Sequence, residues 1–308
     1  MAAVPVPVVP ALQLKRILYT TDFSEASRLA LPIVSAIGRK YGSQVYVVNV
    51  CSQLSGRMST IEATPIREQQ EQDAKVEMAR IVETSGMEQS QTRPLVRTGG
   101  AAEEIRLIAA EQRINLAILT THGRTGFKRM LMGSVAEELL HSLTCPILTV
   151  GPGLDSRFKD WREIRTILCP TDLSPEARAV FPCLASLAAE YRARIVALHV
   201  VPPQNEGGPD EKGRERLRAE MKELFFPQID PRCQLELIIA EGDRVTKILE
   251  TAKALDADLI SFGVREGGKV LLTHFRETVT YKVVLEAECP VLTFRGFAAE
   301  EAKQAGEL

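Results

Sequence analysis

Apolar residues in the first half of the chain alternate between two patterns: short continuous runs, and longer stretches with helical spacing. The short runs are rich in β-branched residues, which is typical of buried strands. They predict strands over 16–20, 44–50, 92–98, 115–121 and 147–150. Helices are predicted from Ser24 to about 37, from about 65 to 84, over 101–112, and from 133 to about 142.

Two features depart from this regular pattern of strands and helices. Pro32 falls inside the first predicted helix, where it should remove a hydrogen bond and introduce a bend. Residues 51–64 are longer than a usual connection, which predicts a functional or mobile segment.

Regular alternation of strands and helices predicts a buried parallel sheet with right-handed crossovers. Ligands of such sheets bind at the carboxyl ends of the strands. Asp22, Val50 and the loop 123–134 are therefore expected at one edge of one sheet.

The stretch 120–141, TTHGRTGFKRMLMGSVAEELLH, is the strongest candidate for a ligand site. Its glycines allow the backbone to approach a phosphate, and the helix beginning near Gly133 offers unpaired N–H groups at the positive end of its dipole. Three basic residues and no acidic residue lie between His122 and Met132. The spacing matches neither a Walker A loop nor GxGxxG. The alternative is a surface loop that only turns the chain.

The same pattern then restarts in the second half. Ile17-Leu18, Thr21-Asp22, Ser24 and Pro32 recur 150 residues later, and Cys145-Pro146 recurs as Cys289-Pro290. This predicts a tandem duplication of one α/β unit of about 140 residues. The predicted organisation is a domain over 1–150, a linker over 151–163, a second domain over 164–296, and a tail over 297–308.

The two copies differ at the candidate loop. Counting back from the shared Cys-Pro, Gly133 corresponds to Glu277 and Ser134 to Thr278. A carboxylate at Glu277 would repel a phosphate by roughly 4 kcal/mol at about 4 Å and an effective dielectric of 20. We therefore predict that the second copy does not bind a polyphosphate as the first copy does. Alternatively, Glu277 only stabilises its helix dipole.

Composition narrows the class of protein. A net charge of −2 gives no field that would attract nucleic acid or an acidic membrane. No apolar run approaches the roughly 18 residues needed to cross a bilayer, and residues 1–14 do not have the pattern of a signal peptide. The six cysteines and four histidines show no metal-ligand spacing, and cysteines in apolar runs favour a cytoplasmic location.

At these residues the chain resembles the universal stress protein (UspA) family in tandem form. Members that bind ATP carry Gly-x-x-Gly, nine residues, then Gly-Ser/Thr, and here Gly123 and Gly133-Ser134 fit while Thr120 replaces the first glycine. The resemblance implies two five-stranded, Rossmann-like domains of the adenine-nucleotide alpha hydrolase type, with ATP and optional Mg²⁺ across the strand ends. The nucleotide-binding residues that it implies are Asp22, Val50, Thr120, Gly123, Arg124, Gly133, Ser134 and Val135.

Family members also resemble dimer modules that pair through their last strands. Strands 147–150 and 291–294 are therefore hypothesised to pair within one chain as a pseudo-dimer, and further homodimerisation is left open.

Three functions remain open at this point. The leading expectation is a nucleotide sensor with one competent site and no catalytic residue, acting on an unidentified protein partner. A slow ATPase is a second reading, for which His122 is the attractive candidate base. A ligand-free interaction module is the third, favoured by the replacement at Thr120.

Overall fold

The computed structural model describes residues 14–52, 60–87, 89–122, 132–230, 232–264 and 278–295. They form two compact units with a boundary between Arg162 and Glu163, referred to here as the first and second units.

The first unit contains a sheet with strand order β3-β2-β1-β4-β5, in which neighbouring strands run parallel. Its strands are β1 (Arg16–Thr20), β2 (Gln44–Ser52), β3 (Thr92–Gly99), β4 (Leu116–Thr120) and β5 (Ile147–Val150). Its helices are α1 (Glu25–Arg28), α2 (Leu31–Tyr41), α3 (Thr60–Thr84), α4 (Ala101–Glu111) and α5 (Ser134–Ser142). Ile17, Leu18 and Tyr19 in β1 are fully buried, as expected for a parallel strand covered on both faces.

The second unit repeats this architecture with strand order β8-β7-β6-β9-β10, again parallel. Its strands are β6 (Thr166–Pro170), β7 (Arg194–Val201), β8 (Leu235–Glu241), β9 (Leu259–Val264) and β10 (Val291–Arg295). Its helices are α6 (Pro175–Tyr191), α7 (Glu211–Phe225), α8 (Arg244–Ala254) and α9 (Val279–Glu286). The predicted α/β duplication is thus confirmed in the fold of each unit.

The repeated proline acts differently in the two units. In the first, the predicted single helix is divided into α1 and α2, and Pro32 lies in the first turn of α2, where its missing N–H has no helical partner to lose. In the second, α6 continues through Pro182. The buried side chains of Phe181 and Leu184 on either side of this proline hold α6 to the core. The helix is therefore not divided at this proline in the second unit, as it is near Pro32 in the first.

Helix α3 begins at Thr60, earlier than the sequence predicts, and contains Pro65. The remaining connection, 53–59, lies outside the described residues.

The predicted linker folds onto the first unit. Ser156–Asp160 form a 3-10 helix whose N-cap, Asp155, accepts a hydrogen bond from the Arg157 N–H at 2.8 Å. Phe158 is fully buried, and this turn packs against α2. An apolar anchor thus fixes a segment that has the polar, glycine-rich composition of a loop.

Among the described residues, no helix combines the length and the apolar character needed to cross a bilayer.

Candidate functional site

A cavity of about 350 Å³ opens in the first unit at the carboxyl ends of β1, β2 and β4. The first turns of α4 and α5 complete its wall. Much of the lining consists of hydroxyl and amide side chains, from Thr20, Thr21, Ser27, Asn49, Thr120, Thr121 and Ser134. Such a surface can hydrogen-bond a ligand that carries many hydroxyl and phosphoryl groups.

Asp22 directly follows β1 and shapes the turn into α1. Its Oδ1 accepts hydrogen bonds from the Ser24 N–H at 3.1 Å and from the Ser24 hydroxyl at 2.6 Å. Ser24 in turn caps α1 by accepting the Ser27 N–H at 3.1 Å, while Phe23 takes a left-handed φ of 67°. Asp22 therefore supports Ser24, the N-cap residue of α1, and it also lines the cavity.

Asn49 joins the ends of β1 and β2. Its side chain is buried, and its Nδ2 donates a hydrogen bond to the Thr21 carbonyl at 2.8 Å. The Thr21 N–H donates to the Val48 carbonyl at 2.9 Å, so Thr21 is fixed to β2 from both sides of its peptide. Together, these two hydrogen bonds set the position of the chain just before Asp22.

A buried hydroxyl cluster supports the same corner from beneath. The Tyr19 hydroxyl donates to the Ser27 carbonyl at 2.7 Å, and the hydroxyls of Thr21 and Ser27 lie 3.0 Å apart. Burial is the main reason why the pKa of Tyr19 rises to about 12, so this hydroxyl stays protonated.

At the end of β4, two threonines bond to His122. The Thr120 hydroxyl donates to the His122 carbonyl at 3.1 Å, and Thr121 Oγ1 lies 2.9 Å from His122 Nδ1. Burial lowers the pKa of His122, which favours its neutral form. The Nε2 atom of His122 is buried and makes no hydrogen bond within the described part of the chain.

The N-terminal end of α5, which we call the mouth of the helix, faces the same cavity and carries no side-chain cap. Gly133 is the N-cap, with φ −60° and ψ 140°; its N–H donates to the Thr121 carbonyl at 2.8 Å. A Cβ added to Gly133 would meet the Thr121 oxygen at 3.5 Å, an ordinary contact, so the backbone does not require glycine here. The missing side chain instead leaves the first turn of α5 open toward the cavity.

Six of the eight sequence-predicted binding residues come together around this cavity: Asp22, Val50, Thr120, Gly133, Ser134 and Val135. The other two, Gly123 and Arg124, lie outside the described residues, as do Lys128 and Arg129. Sequence reasoning missed Asn49 and Ser27. Asn49 left a detectable signal, because it is a polar residue inside the otherwise apolar end of β2.

The second unit has a cavity of about 250 Å³ at the corresponding strand ends. Asp172 Oδ1 accepts the Ser174 N–H at 3.0 Å, which repeats the turn at Asp22. His199 takes the place of Asn49, and its Nδ1 lies 2.8 Å from the Thr171 carbonyl. Because a carbonyl only accepts, His199 Nδ1 carries the proton in this contact.

The two units differ most clearly at the helix mouth. Thr278, at the N-cap of α9, accepts the Tyr281 N–H on its side-chain oxygen at 3.2 Å. The first turn of α9 therefore has an internal partner that α5 lacks. Glu277, the acid that the sequence places at this mouth, is outside the described residues.

These features define a class: an α/β protein with two Rossmann-like units, each with a cavity at the carboxyl ends of a parallel sheet. The universal stress protein family model matches residues 13–151 and again 163–295. The chain therefore belongs to the universal stress protein family, as a tandem member with the adenine-nucleotide alpha hydrolase-like fold.

Individual relatives agree with this assignment. A universal stress protein of Methanocaldococcus jannaschii is 26% identical over 152 residues, which is 44% of this chain and 94% of that protein. One of Synechocystis is 33% identical over 134 residues, covering 42% of this chain and 83% of that protein. The crystal structure of a universal stress protein from Archaeoglobus fulgidus superposes with a TM-score of 0.70 at 20% identity, covering 92% of this chain and 97% of that one.

Proposed function

We propose that this chain is a cytoplasmic ATP-binding regulatory protein with one competent nucleotide site, located in the first unit. Adenine-nucleotide binding is known in the family. The observation that carries the proposal is the difference between the two helix mouths: α5 begins at an uncapped Gly133, whereas Thr278 caps the first turn of α9.

The open mouth of α5 suits a phosphate for two reasons. The N–H groups of a first helical turn lack helical acceptors, and the helix dipole places partial positive charge there. Gly133, Ser134 and Val135 would hold the phosphates, with Gly123 and Arg124 assigned the same role on sequence grounds.

Adenine and ribose would lie toward the strand ends. Asp22 and Val50 would hold the base, and Thr120 would lie beside the sugar. The hydroxyl proton of Thr120 is already donated to the His122 carbonyl, so its oxygen would act as an acceptor for a ribose hydroxyl. ATP would bind either alone or as its Mg²⁺ complex.

Binding without dedicated catalysis fits the state of His122. A general base must reach the proton that it removes. Nδ1 of His122 is held by Thr121, and its Nε2 is buried. We therefore assign the output of the site to nucleotide occupancy and an unidentified protein partner.

Thermal unfolding in the presence of ATP tests the proposal. ATP at 100 times its Kd should stabilise the first unit by about 2.7 kcal/mol. For a unit of about 150 residues this corresponds to a rise in Tm of several degrees, since 1 kcal/mol shifts Tm by about 2–4 °C. Gly133→Glu copies the second unit and should abolish the shift.

Gly133→Ala is the matched control, because a Cβ fits at this position without a close contact. It should fold and keep most of the ATP response. If Gly133→Glu still responds fully to ATP, the phosphate assignment is wrong. If the unmodified chain shows no response and retains no nucleotide after purification, the ligand-free interaction module is favoured instead.

A further inference from the structure

The cavity of the second unit differs in chemistry from that of the first. The second has fewer hydroxyl and amide side chains than the first, and its large apolar side chains include an aromatic ring. These come from Leu198, Val200, Val201, Pro202, Ile248 and Phe262. These side chains can pack against the apolar body of a ligand.

Strand register shows which substitutions cause this change. Ala117 pairs with Ile147 in the first unit, and Ile260 pairs with Val291 in the second. Counting on from these pairs, Phe262 stands where the first unit has Leu119, and Gly263 stands where it has Thr120. The second cavity thus gains an aromatic ring and loses a neighbouring hydroxyl side chain.

A cation is introduced at the mouth of α8. Arg244 is the first residue of α8 and lines the cavity; the first residue of α4, at the equivalent place, is Ala101. Within the described part of the chain, the Arg244 guanidinium forms no ion pair. The adjacent Asp243 is already used as the N-cap, accepting the Thr246 N–H at 2.9 Å and the Thr246 hydroxyl at 2.8 Å.

The remaining polar groups limit the charge of a ligand. Asp172 supplies a carboxylate to the cavity, and the capped mouth of α9 offers no open first turn to a phosphate. A single anionic group can pair with Arg244, the cationic side chain of this lining. His199 Nδ1 donates to the Thr171 carbonyl, as described above.

We propose that the second unit binds a small aromatic monocarboxylate, with its ring against Phe262 and its carboxylate paired with Arg244. At about 250 Å³, the cavity is below the range of roughly 300–1,000 Å³ that is typical for drug-sized ligands, so a compact ligand fits better than a nucleoside triphosphate. This site is independent of the nucleotide proposed for the first unit.

Phenylacetate is a suitable probe, and the isosteric neutral amide, phenylacetamide, is its control for charge. A methyl NMR titration of the full chain can follow Ile248 in the second cavity and Ile105, its counterpart in the first. Phenylacetate should shift the Ile248 signal in a saturable manner and leave Ile105 unchanged. Phenylacetamide should bind about tenfold more weakly, the factor expected for loss of one charge-assisted pair.

Two variants of α8 change the net charge equally. Arg244→Ala should weaken phenylacetate binding about tenfold without altering the affinity for the amide. Lys253→Ala, at the other end of α8 and paired with Glu288 at 3.1 Å, should bind phenylacetate within twofold of the unmodified chain. The proposal is overturned if phenylacetate leaves the Ile248 signal unchanged or shifts Ile105 as much as Ile248. It is also overturned if phenylacetamide binds as tightly as phenylacetate, or if Arg244→Ala and Lys253→Ala change the affinity for phenylacetate equally.

Discussion

Asn49 and His199 occupy equivalent positions and fulfil the same task with different side chains. Each donates a hydrogen bond of 2.8 Å to the carbonyl of the threonine that precedes the strand-end aspartate. The sequence reveals a polar residue in an apolar strand, but it does not reveal the acceptor. That acceptor is a backbone carbonyl 28 residues away, and only the parallel register of β1 and β2 brings it near.

Removing this donor should destabilise the first unit. Asn49→Ala leaves the Thr21 carbonyl without its side-chain partner, and an unsatisfied buried acceptor costs about 1–3 kcal/mol. Asn49→His copies the second unit and should cost less than half as much, because Nδ1 can restore the bond. Urea unfolding of both variants measures the difference. Equal losses for alanine and histidine would contradict the assigned role.

Two buried groups that lose a proton at high pH, the Cys169 thiol and the Tyr19 hydroxyl, should make the chain less stable at alkaline pH. Burial raises the pKa of Cys169 from 9.0 to about 12 and is the main cause that raises Tyr19 from 10.0 to about 12. Their protons are therefore lost more easily from the unfolded chain. The stabilisation is complete below about pH 9 and declines as pH rises toward 12, at about 1.4 kcal/mol per pH unit for each group.

Urea unfolding at pH 8 and pH 10, in reductant, checks this expectation. Cys169→Ala should reduce the loss between the two pH values, because it removes one of the ionising groups. Should the variant lose as much stability as the unmodified chain, burial of Cys169 is not a source of the effect.

At the scale of elements, the two helix mouths have opposite arrangements. α5 starts at a glycine without a side-chain cap, and α9 starts at a threonine that caps its own first turn. Since Ser134 and Thr278 correspond in sequence, one residue of the repeat serves as the first helical residue in one unit and as the N-cap in the other.

This difference predicts unequal effects of matched alanine substitutions. Thr278→Ala removes a cap and should destabilise the second unit by about 1 kcal/mol. Ser134→Ala, at the corresponding position of α5, should destabilise the first unit by only a few tenths of a kcal/mol, because Ser134 is not the N-cap. Denaturant unfolding of the two variants compares them directly. A larger loss from Ser134→Ala would contradict the assigned caps.

Element boundaries show where sequence reasoning reached its limit. Periodicity located every strand of the first unit, because buried parallel strands have a strong local signal. It did not separate α1 from α2 or foresee a continuous α6, since these depend on how each proline fits its surroundings. The part of the candidate site at the strand ends was predictable from sequence, but the hydrogen bonds by which Asp22 holds Ser24 depend on the geometry of the turn into α1.

At the scale of the whole molecule, the duplication was the most secure inference from sequence. Ordered identities 150 residues apart predict two α/β units, and both units have the same strand order. Divergence between duplicated sites is then the main functional signal. One copy has an uncapped helix mouth at its cavity, while the other has a capped one and adds Phe262 and Arg244 to the cavity lining. Pairing of the last strands as a pseudo-dimer stays a prediction.

Isothermal titration calorimetry of the full chain with ATP tests the central claim most directly, because it counts sites. We expect a stoichiometry of one ATP per chain, reduced to none in Gly133→Glu and retained in Gly133→Ala. A stoichiometry of two, or one site that persists unchanged in Gly133→Glu, would contradict an account in which only the first unit offers an open helix mouth to the nucleotide.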